Sequence, residues 1–438
     1  MVPTYLTLLA TCQSVFNQTR TFRLFRQLVD AWLLCTTRRT ITGVLAFIPG
    51  AERRVHDAYH HFFQCAHWDP DELFDLLTCR LVRALCPSGV VTLDLDDTLH
   101  HKAGRKVAGC GIWRDAVRST ARQTVYALGL NLIVLTVRIT PPWGGFPIAV
   151  PVRVRVHRKG AQTYFELAEA MIRDLAVLLP GCQLRVCADG FYAPLATQLP
   201  PEITLTSRLR RDASLHDHPC PRPAGTRGRK PTKGPALAKP PALAEEAAAL
   251  GLFNLTTVPR GQQTVERLVY SRTALWNGVT ILIVLVRDPD GHEDDDDFFT
   301  TDLTACALDV PDHYGGRWAI ELTFRDVKQH LGGQEPQCWA DRGPERAAAF
   351  AYWLYALVWY GFLTADSTEH RRRCSRHPGI PRKPPRPFSM RSPGCDGTCG
   401  GHEFPPERSP SPLWEKFPAT WTCSSSIVPA PRERRGAE

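Results

Sequence analysis

Val90-Val91-Thr92-Leu93-Asp94-Leu95-Asp96-Asp97-Thr98-Leu99 is the stretch on which the fold turns. It is a short apolar run broken by carboxylates, and it opens a change of texture along the chain. Read as a strand over Val90–Asp96, it is followed by further apolar, β-branched runs at Thr124–Val137, Ile148–Val156 and Leu184–Ala188. Between the last two, Thr163–Leu179 reads as a helix, with Thr163 as N-cap, Glu166 three residues on, and Leu167, Met171, Leu175 and Leu178 at helical spacing. Strands followed by a helix and a further strand indicate an α/β layer. Asp96 ends the first strand in this reading, and Asp189 follows the last.

Upstream, residues 1–86 read as helices. Phe22, Phe25, Val29, Trp32 and Leu33 recur at helical spacing with arginines interleaved. Asp69-Pro70-Asp71-Glu72 has the form of a helix start, with an N-cap, a first-turn proline and a capping-box carboxylate. Downstream, Pro219–Pro241 is a Pro/Gly/Lys/Arg linker, and Val265–Trp276 and Val279–Val286 flank Asn277-Gly278, a strong hairpin signal. A β-rich insertion therefore interrupts the α/β domain. The acidic run Glu293–Asp297 reads as a solvated loop.

Size and charge agree with this division. A chain of 438 residues is long enough for two or three domains. Lys+Arg 53 against Asp+Glu 44 gives a net charge of +9, which permits an anionic partner without requiring one. The basic residues gather in the N-terminal helices, the linker and the tail. The 15 cysteines are scattered singly, so reduced thiols in a cytoplasm are expected, and no secretory signal is recognisable at the N-terminus. Ala347–Leu363 is uncharged, but its aromatics run along its whole length, which points to a buried helix and not a membrane span.

The residues that carry chemistry lie on a second helix, His313–Leu331. At about 100° per residue, Tyr314, Arg317, Glu321 and Lys328 fall within roughly 60° of arc, beside an apolar stripe of Ile320, Phe324, Val327 and Leu331. The apolar stripe docks the helix and leaves one carboxylate flanked by cations. Carboxylates at strand ends are where an α/β sheet places its chemistry. Asp96, Asp189 and Glu321 together offer three hard oxygen ligands, which suit Mg²⁺ or Mn²⁺ better than zinc.

Tyr314, Arg317, Glu321 and Lys328, with gaps of two, three and six residues, resemble the Tyr-Arg-Glu-Lys signature of DDE transposases of bacterial insertion sequences, in the insertion-sequence-four-like group. Leu93–Leu99 with Lys102 and Gly104, and Ala188-Asp189-Gly190-Phe191-Tyr192, resemble that group's two aspartate motifs. The resemblance covers about residues 20–365. It implies a helical DNA-binding domain at 1–86, an RNase H-like catalytic domain at 87–210 and 300–366, and a basic linker with β-rich insertion at 211–299. It further implies that Asp96, Asp189 and Glu321 are catalytic and bind two Mg²⁺ (or Mn²⁺) ions, with Asp97 a rival for Asp96. Arg317, Lys328 and Tyr314 would contact double-stranded DNA, and Arg227, Arg229 and Lys230 in the basic linker resemble a minor-groove hook. The implied activity is cleavage at the ends of a mobile element and joining of the 3′-hydroxyls to target DNA, by a homodimer in a bacterial cytoplasm.

Two other readings stay open at this level. One is an inactive or domesticated DNA-binding derivative of such a transposase. The other is a haloacid dehalogenase-like phosphatase, since Asp94-Leu95-Asp96-Asp97-Thr98 also fits a nucleophile followed by a general acid/base. After residue 370 prolines crowd and apolar periodicity vanishes, and 367–438 reads as a disordered or frameshifted tail. Read from the third base of each codon, Phe388–Gly401 can encode a peptide with leucines at helical spacing.

Overall fold

The computed structural model describes residues 2–365 apart from 105, 121, 221–228 and 261–262. Arg227 and the tail 367–438 lie outside the described residues. Five helices come first: α1 (Val2–Thr11), α2 (Thr19–Leu34), α3 (Ile41–Leu45), α4 (His56–Gln64) and α5 (Pro70–Leu85). The α2 stripe buries Phe22, Phe25, Val29 and Trp32 as its spacing requires. At the start of α5 the Asp69 carboxylate accepts from Asp71 N–H at 2.9 Å, a cap one residue short of the expected capping box.

The strands and remaining helices follow in the order β1 (Val90–His101), β2 (Gly111–Arg114), β3 (Tyr126–Ile139), β4 (Ile148–His157), α6 (Tyr164–Leu178), β5 (Gln183–Ala188), β6 (Thr204–Arg208), β7 (Leu215–His216), α7 (Pro240–Ala249), β8 (Asn254–Arg260), β9 (Gln263–Trp276), β10 (Val279–Arg287), β11 (Asp296–Thr300), α8 (Asp309–Gly315), α9 (Ala319–His330) and α10 (Gly343–Leu363). All the strands belong to one mixed sheet. At its centre β4, β3 and β1 pair antiparallel, while β1, β5 and β6 run parallel. Parallel neighbours need a crossover, and α6 supplies it between β4 and β5, with the expected Thr163/Glu166 capping box formed. A mixed sheet of this kind, with helices on it, is consistent with the RNase H-like expectation.

Beyond β6 the sheet continues through β11, β10 and β9, all antiparallel. Asn277 (φ 49°) and Gly278 (φ 86°) form the tight turn between β9 and β10, because a two-residue hairpin needs positive φ at both positions. The acidic run is a correction to the sequence reading. Its last two residues, Asp296 and Asp297, begin β11, and Asp297 is buried. The β-branched and aromatic residues that follow can pair with both β6 and β10, which outweighs the cost of drawing the carboxylates in.

The expected single helix His313–Leu331 is also corrected. It is broken into α8, a 3₁₀ turn over Gly316–Trp318, and α9. The tighter turn falls at Gly315-Gly316, where Arg138 from β3 packs so close that a Cβ at Gly316 would stand 2.5 Å from its guanidinium. The buried helix expected at Ala347–Leu363 is α10, whose every side is covered. Phe350 and Trp353 on it meet Phe25 at 6.0 and 5.4 Å between ring centroids, so the N-terminal helices share their core with α10. No helix of the described residues is long and apolar enough to cross a membrane.

Candidate active site

The site begins where the parallel pairing of β1 and β5 stops. Leu95↔Ala188 is the last paired rung, so Asp96 and Asp189 come next on the two strands, side by side. The expectation that the first strand ends at Asp96 is corrected here: β1 runs on to His101, still paired to β3. Leaving β5, the chain bends because Asp189 folds back on it, its carboxylate accepting from Phe191 N–H at 3.1 Å and its carbonyl from Tyr192 N–H at 3.1 Å. Ser207 on β6 donates to the same carbonyl at 2.8 Å.

Strand periodicity sorts the carboxylates of β1 onto two faces. Asp94, Asp96, Thr98 and His100 point towards α8, α9 and α10. Asp97 points the other way, where Asn131 and Tyr192 donate to it at 3.0 and 3.3 Å. On the helical face, Arg138 grips the fully buried Asp94 and donates to the His313 carbonyl at 2.6 Å. A carboxylate so enclosed cannot serve as the exposed nucleophile of the phosphatase reading. One rung further, Arg317 donates to Asp96 at 2.7 Å and to Glu321 at 3.2 Å. Lys328 donates to Thr98 Oγ1 at 2.7 Å.

Burial dominates the electrostatics. It pushes the Asp96 carboxyl up to about 8 against the pull of Arg317, with Asp189 and Asp97 adding to the rise. Asp189, Asp97 and Glu321 are raised as well, chiefly by desolvation. Burial also draws Lys328 down to about 8. For Arg317, burial works against the charge, but Asp96, Tyr314 and Glu321 outweigh it and its pKa is raised. Three of these desolvated carboxylates, Asp96, Asp189 and Glu321, thus share one guanidinium, a surplus of negative charge made entirely of hard oxygen donors. That donor set fits a divalent cation such as Mg²⁺. Among the described residues no three His, Cys, Asp or Glu side chains are gathered tightly enough to enclose one ion, since Arg317 spaces Asp96 from Glu321.

The structure therefore brings Asp96, Asp189, Arg317, Glu321 and Lys328 to one place. Tyr314 is there too but is buried, its ring packed on Phe298 and flanked by Arg208 and Arg317. Arg317, expected from the resemblance to contact DNA, has both terminal nitrogens on carboxylates and is 7% exposed. Arg229 and Lys230 are exposed on the segment before α7. Sequence reading missed Arg138, Asn131 and Arg208. Asn131 lies inside the apolar run Thr124–Val137, which carries only a strand signal, Arg138 stands just past its end, and Arg208 follows a short Thr-Leu-Thr-Ser stretch too brief to register.

A family model described as DDE superfamily endonuclease matches residues 12–267, more than half of the chain. The match takes in Asp96 and Asp189 and stops short of Glu321. No curated protein matches the chain. The chain belongs to the DDE superfamily endonuclease family, whose members act on DNA and typically use divalent metal ions.

Proposed function

We propose that this DDE superfamily endonuclease is a transposase of the Tyr-Arg-Glu-Lys group, which cleaves phosphodiesters at the ends of a mobile element and joins the 3′-hydroxyls to target DNA in a bacterial cytoplasm. The observation that carries the reading is the adjacency of Asp96 and Asp189 beyond the last β1–β5 rung, with Glu321 tied to Asp96 through Arg317. Asp96 is preferred to Asp97 because only Asp96 faces the helix that bears Glu321.

Asp96, Asp189 and Glu321 would hold two Mg²⁺ or Mn²⁺ ions, which when bound supply the Lewis acidity that turns water, and later a 3′-hydroxyl, into an attacking oxygen. The other residues of the site orient and hold. Arg317 fixes Asp96 against Glu321, and the turn at Asp189 fixes the direction of that carboxylate. Lys328, anchored on Thr98, presents a cation beside β1 to the backbone of the cleaved strand. Tyr314 fills the space between two guanidiniums and keeps water from reaching the carboxylates from that side.

The N-terminal helices are proposed to bind the element's ends. Arg20, Arg23 and Arg26 of α2 share one groove with Arg53, Arg54 and His61, about 1550 Å³ in volume. No carboxylate pairs with Arg23, Arg26, Arg53 or Arg54 among the described residues, whereas the arginines around the sheet are mostly paired. An open row of cations suits a phosphate backbone. Two copies would act together, one on each end.

The experiment is to incubate the purified protein and Mg²⁺ with supercoiled plasmid carrying the DNA that flanks the gene. Nicks with 3′-hydroxyl ends at the element's borders support the reading. Binding without any nicking would favour the inactive derivative, and neither binding nor nicking would remove the reading.

A further inference from the structure

We infer that the ribbon formed by β2 and the start of β3, with Arg114, Arg118 and Arg122 at its free end, is an arm that lies against the phosphate backbone of the DNA flanking the cleaved bond. The inference rests on the reading of the chain as an enzyme that cleaves DNA.

Sheet register carries the face of the carboxylates onto this ribbon. β3 pairs with β1 from Val137 opposite Leu93 to Gly129 opposite His101, and with β2 from Gly129 opposite Gly111 to Tyr126 opposite Arg114. Neither ladder slips, so side chains alternate faces from one end to the other. Asp96 stands opposite Val134, and Tyr126 lies an even number of residues along β3 from that rung. Tyr126, its partner Arg114, and Ile112 two residues before it therefore share the face of Asp96. Trp113 takes the other face, packed on His157 at 5.1 Å between ring centroids with the Lys159 ammonium 4.8 Å from its ring. Helices cover the Asp96 face as far as His100, which meets the Tyr352 hydroxyl of α10. Beyond it the face is open, with Ile112 61% and Tyr126 65% exposed.

The end of the ribbon is shaped in advance. The buried Asp115 carboxylate accepts from His101 of β1 at 2.7 Å and from the N–H groups of Val117 and Arg118 at 3.1 and 3.2 Å. Its own N–H donates to the Val125 carbonyl at 2.8 Å, which closes the ribbon. A preformed end has less freedom to lose on binding. The charge it carries is of one sign. Between Lys102 and Tyr126 six of the seven charged residues are Lys or Arg, and the seventh is Asp115. Arg118 lies 3.5 Å from Asp115, while Arg114 and Arg122 are exposed and have no carboxylate partner among the described residues. Two such arms set against each other would repel, which disfavours a symmetric contact between copies of the chain. A polyanion suits them. Tyr126 is eight residues along β3 from the rung of Asp96. At about 3.3 Å per strand residue and about 3.4 Å per base pair, the arm meets a duplex about eight base pairs from the cleaved phosphate.

Anisotropy of a fluorescein-labelled duplex of arbitrary sequence, followed across a KCl series in EDTA, tests this without cleavage. Each phosphate contact contributes about 0.9 to the slope of log affinity on log salt, so Arg114→Gln/Arg122→Gln should lose about 1.8 of the parent slope. Arg114→Lys/Arg122→Lys should keep the slope, because lysine retains the charge. Modification of the parent's arginines by phenylglyoxal, read by mass spectrometry, does not depend on any variant folding, and the duplex should shield Arg114 and Arg122. Light scattering of the parent and the glutamine variant without DNA tests for a protein contact at this face, and equal masses are expected. A glutamine variant with the parent slope, equal modification with and without duplex, or a glutamine variant of lower mass than the parent overturns the assignment while leaving the DNA-cleaving reading in place. A parent that shows no salt-dependent binding to the duplex removes that reading and the assignment together.

Discussion

Arg317 reaches across from the turn before α9 to the Asp96 carboxylate on β1 at 2.7 Å, and so couples the helix that carries Glu321 to the strand that carries the first aspartate. The pair is buried, and a buried pair broken on one side leaves an uncompensated charge. Arg317→Met should therefore cost about 3 kcal/mol of stability at pH 8. At pH 5 the loss should be smaller, because carboxyls already raised by burial take up protons once the guanidinium is gone. Urea unfolding of the variant and its parent at the two pH values measures both effects.

Divalent cations should stabilise the native protein by binding the carboxylates that Arg317 alone cannot neutralise. A ligand present at a hundred times its dissociation constant adds about 2.7 kcal/mol. Adding Mg²⁺ at pH 8 should raise the melting temperature of the parent, and Asp189→Asn should reduce that rise. An equal rise in the variant would place the bound ion elsewhere.

Asp94 and Arg138 form the second buried pair of β1 and link the sheet to the carbonyl at the end of α8. Asp94→Ala should cost about 3 to 5 kcal/mol, because it strands the Arg138 charge in the core. A cost below about 1 kcal/mol, the range of a surface ion pair, would contradict the enclosed position of Asp94.

Asp297 on β11 supplies a pH dependence. Burial, with Asp295 and Asp296 nearby, pushes its carboxyl up to about 6, against the opposing pull of Arg211. A raised carboxyl favours the folded state only while it is protonated. The penalty is therefore absent below the ordinary value of 3.8, grows as pH rises towards about 6, and is complete above that. Its full size is about 3 kcal/mol. Asp297→Asn should match the parent near pH 4 and exceed it in stability at pH 7, as thermal melts across that range would show.

The parts of the fold that were legible in sequence are those where one local signal suffices. Thr163 with Glu166, Asn277 with Gly278, and the Phe22–Trp32 stripe each specify their element through a cap, a turn or a period. The aspartates were legible as residues because carboxylates interrupt apolar runs, yet the extent of β1 was not. Its continuation past Asp96 depends on β3, a partner brought up from about thirty residues away. Non-local pairing likewise decides β11, where an acidic run enters the sheet because β6 and β10 lie on either side of it. The helix α7 was missed where the proline-rich linker ends, although Pro240 in its first turn and the Ala/Leu/Glu run after it are helix signals. The inward turn of Arg317 was not legible at all. Helical spacing placed it beside Glu321 but could not say whether it would face a carboxylate or a phosphate.

The most direct test of the central claim is nicking of a supercoiled plasmid bearing the element's ends, in Mg²⁺, by the parent and by Glu321→Ala. The account predicts nicked product with the parent and none above background with the variant, while the variant still binds the DNA. Undiminished nicking by Glu321→Ala would contradict it.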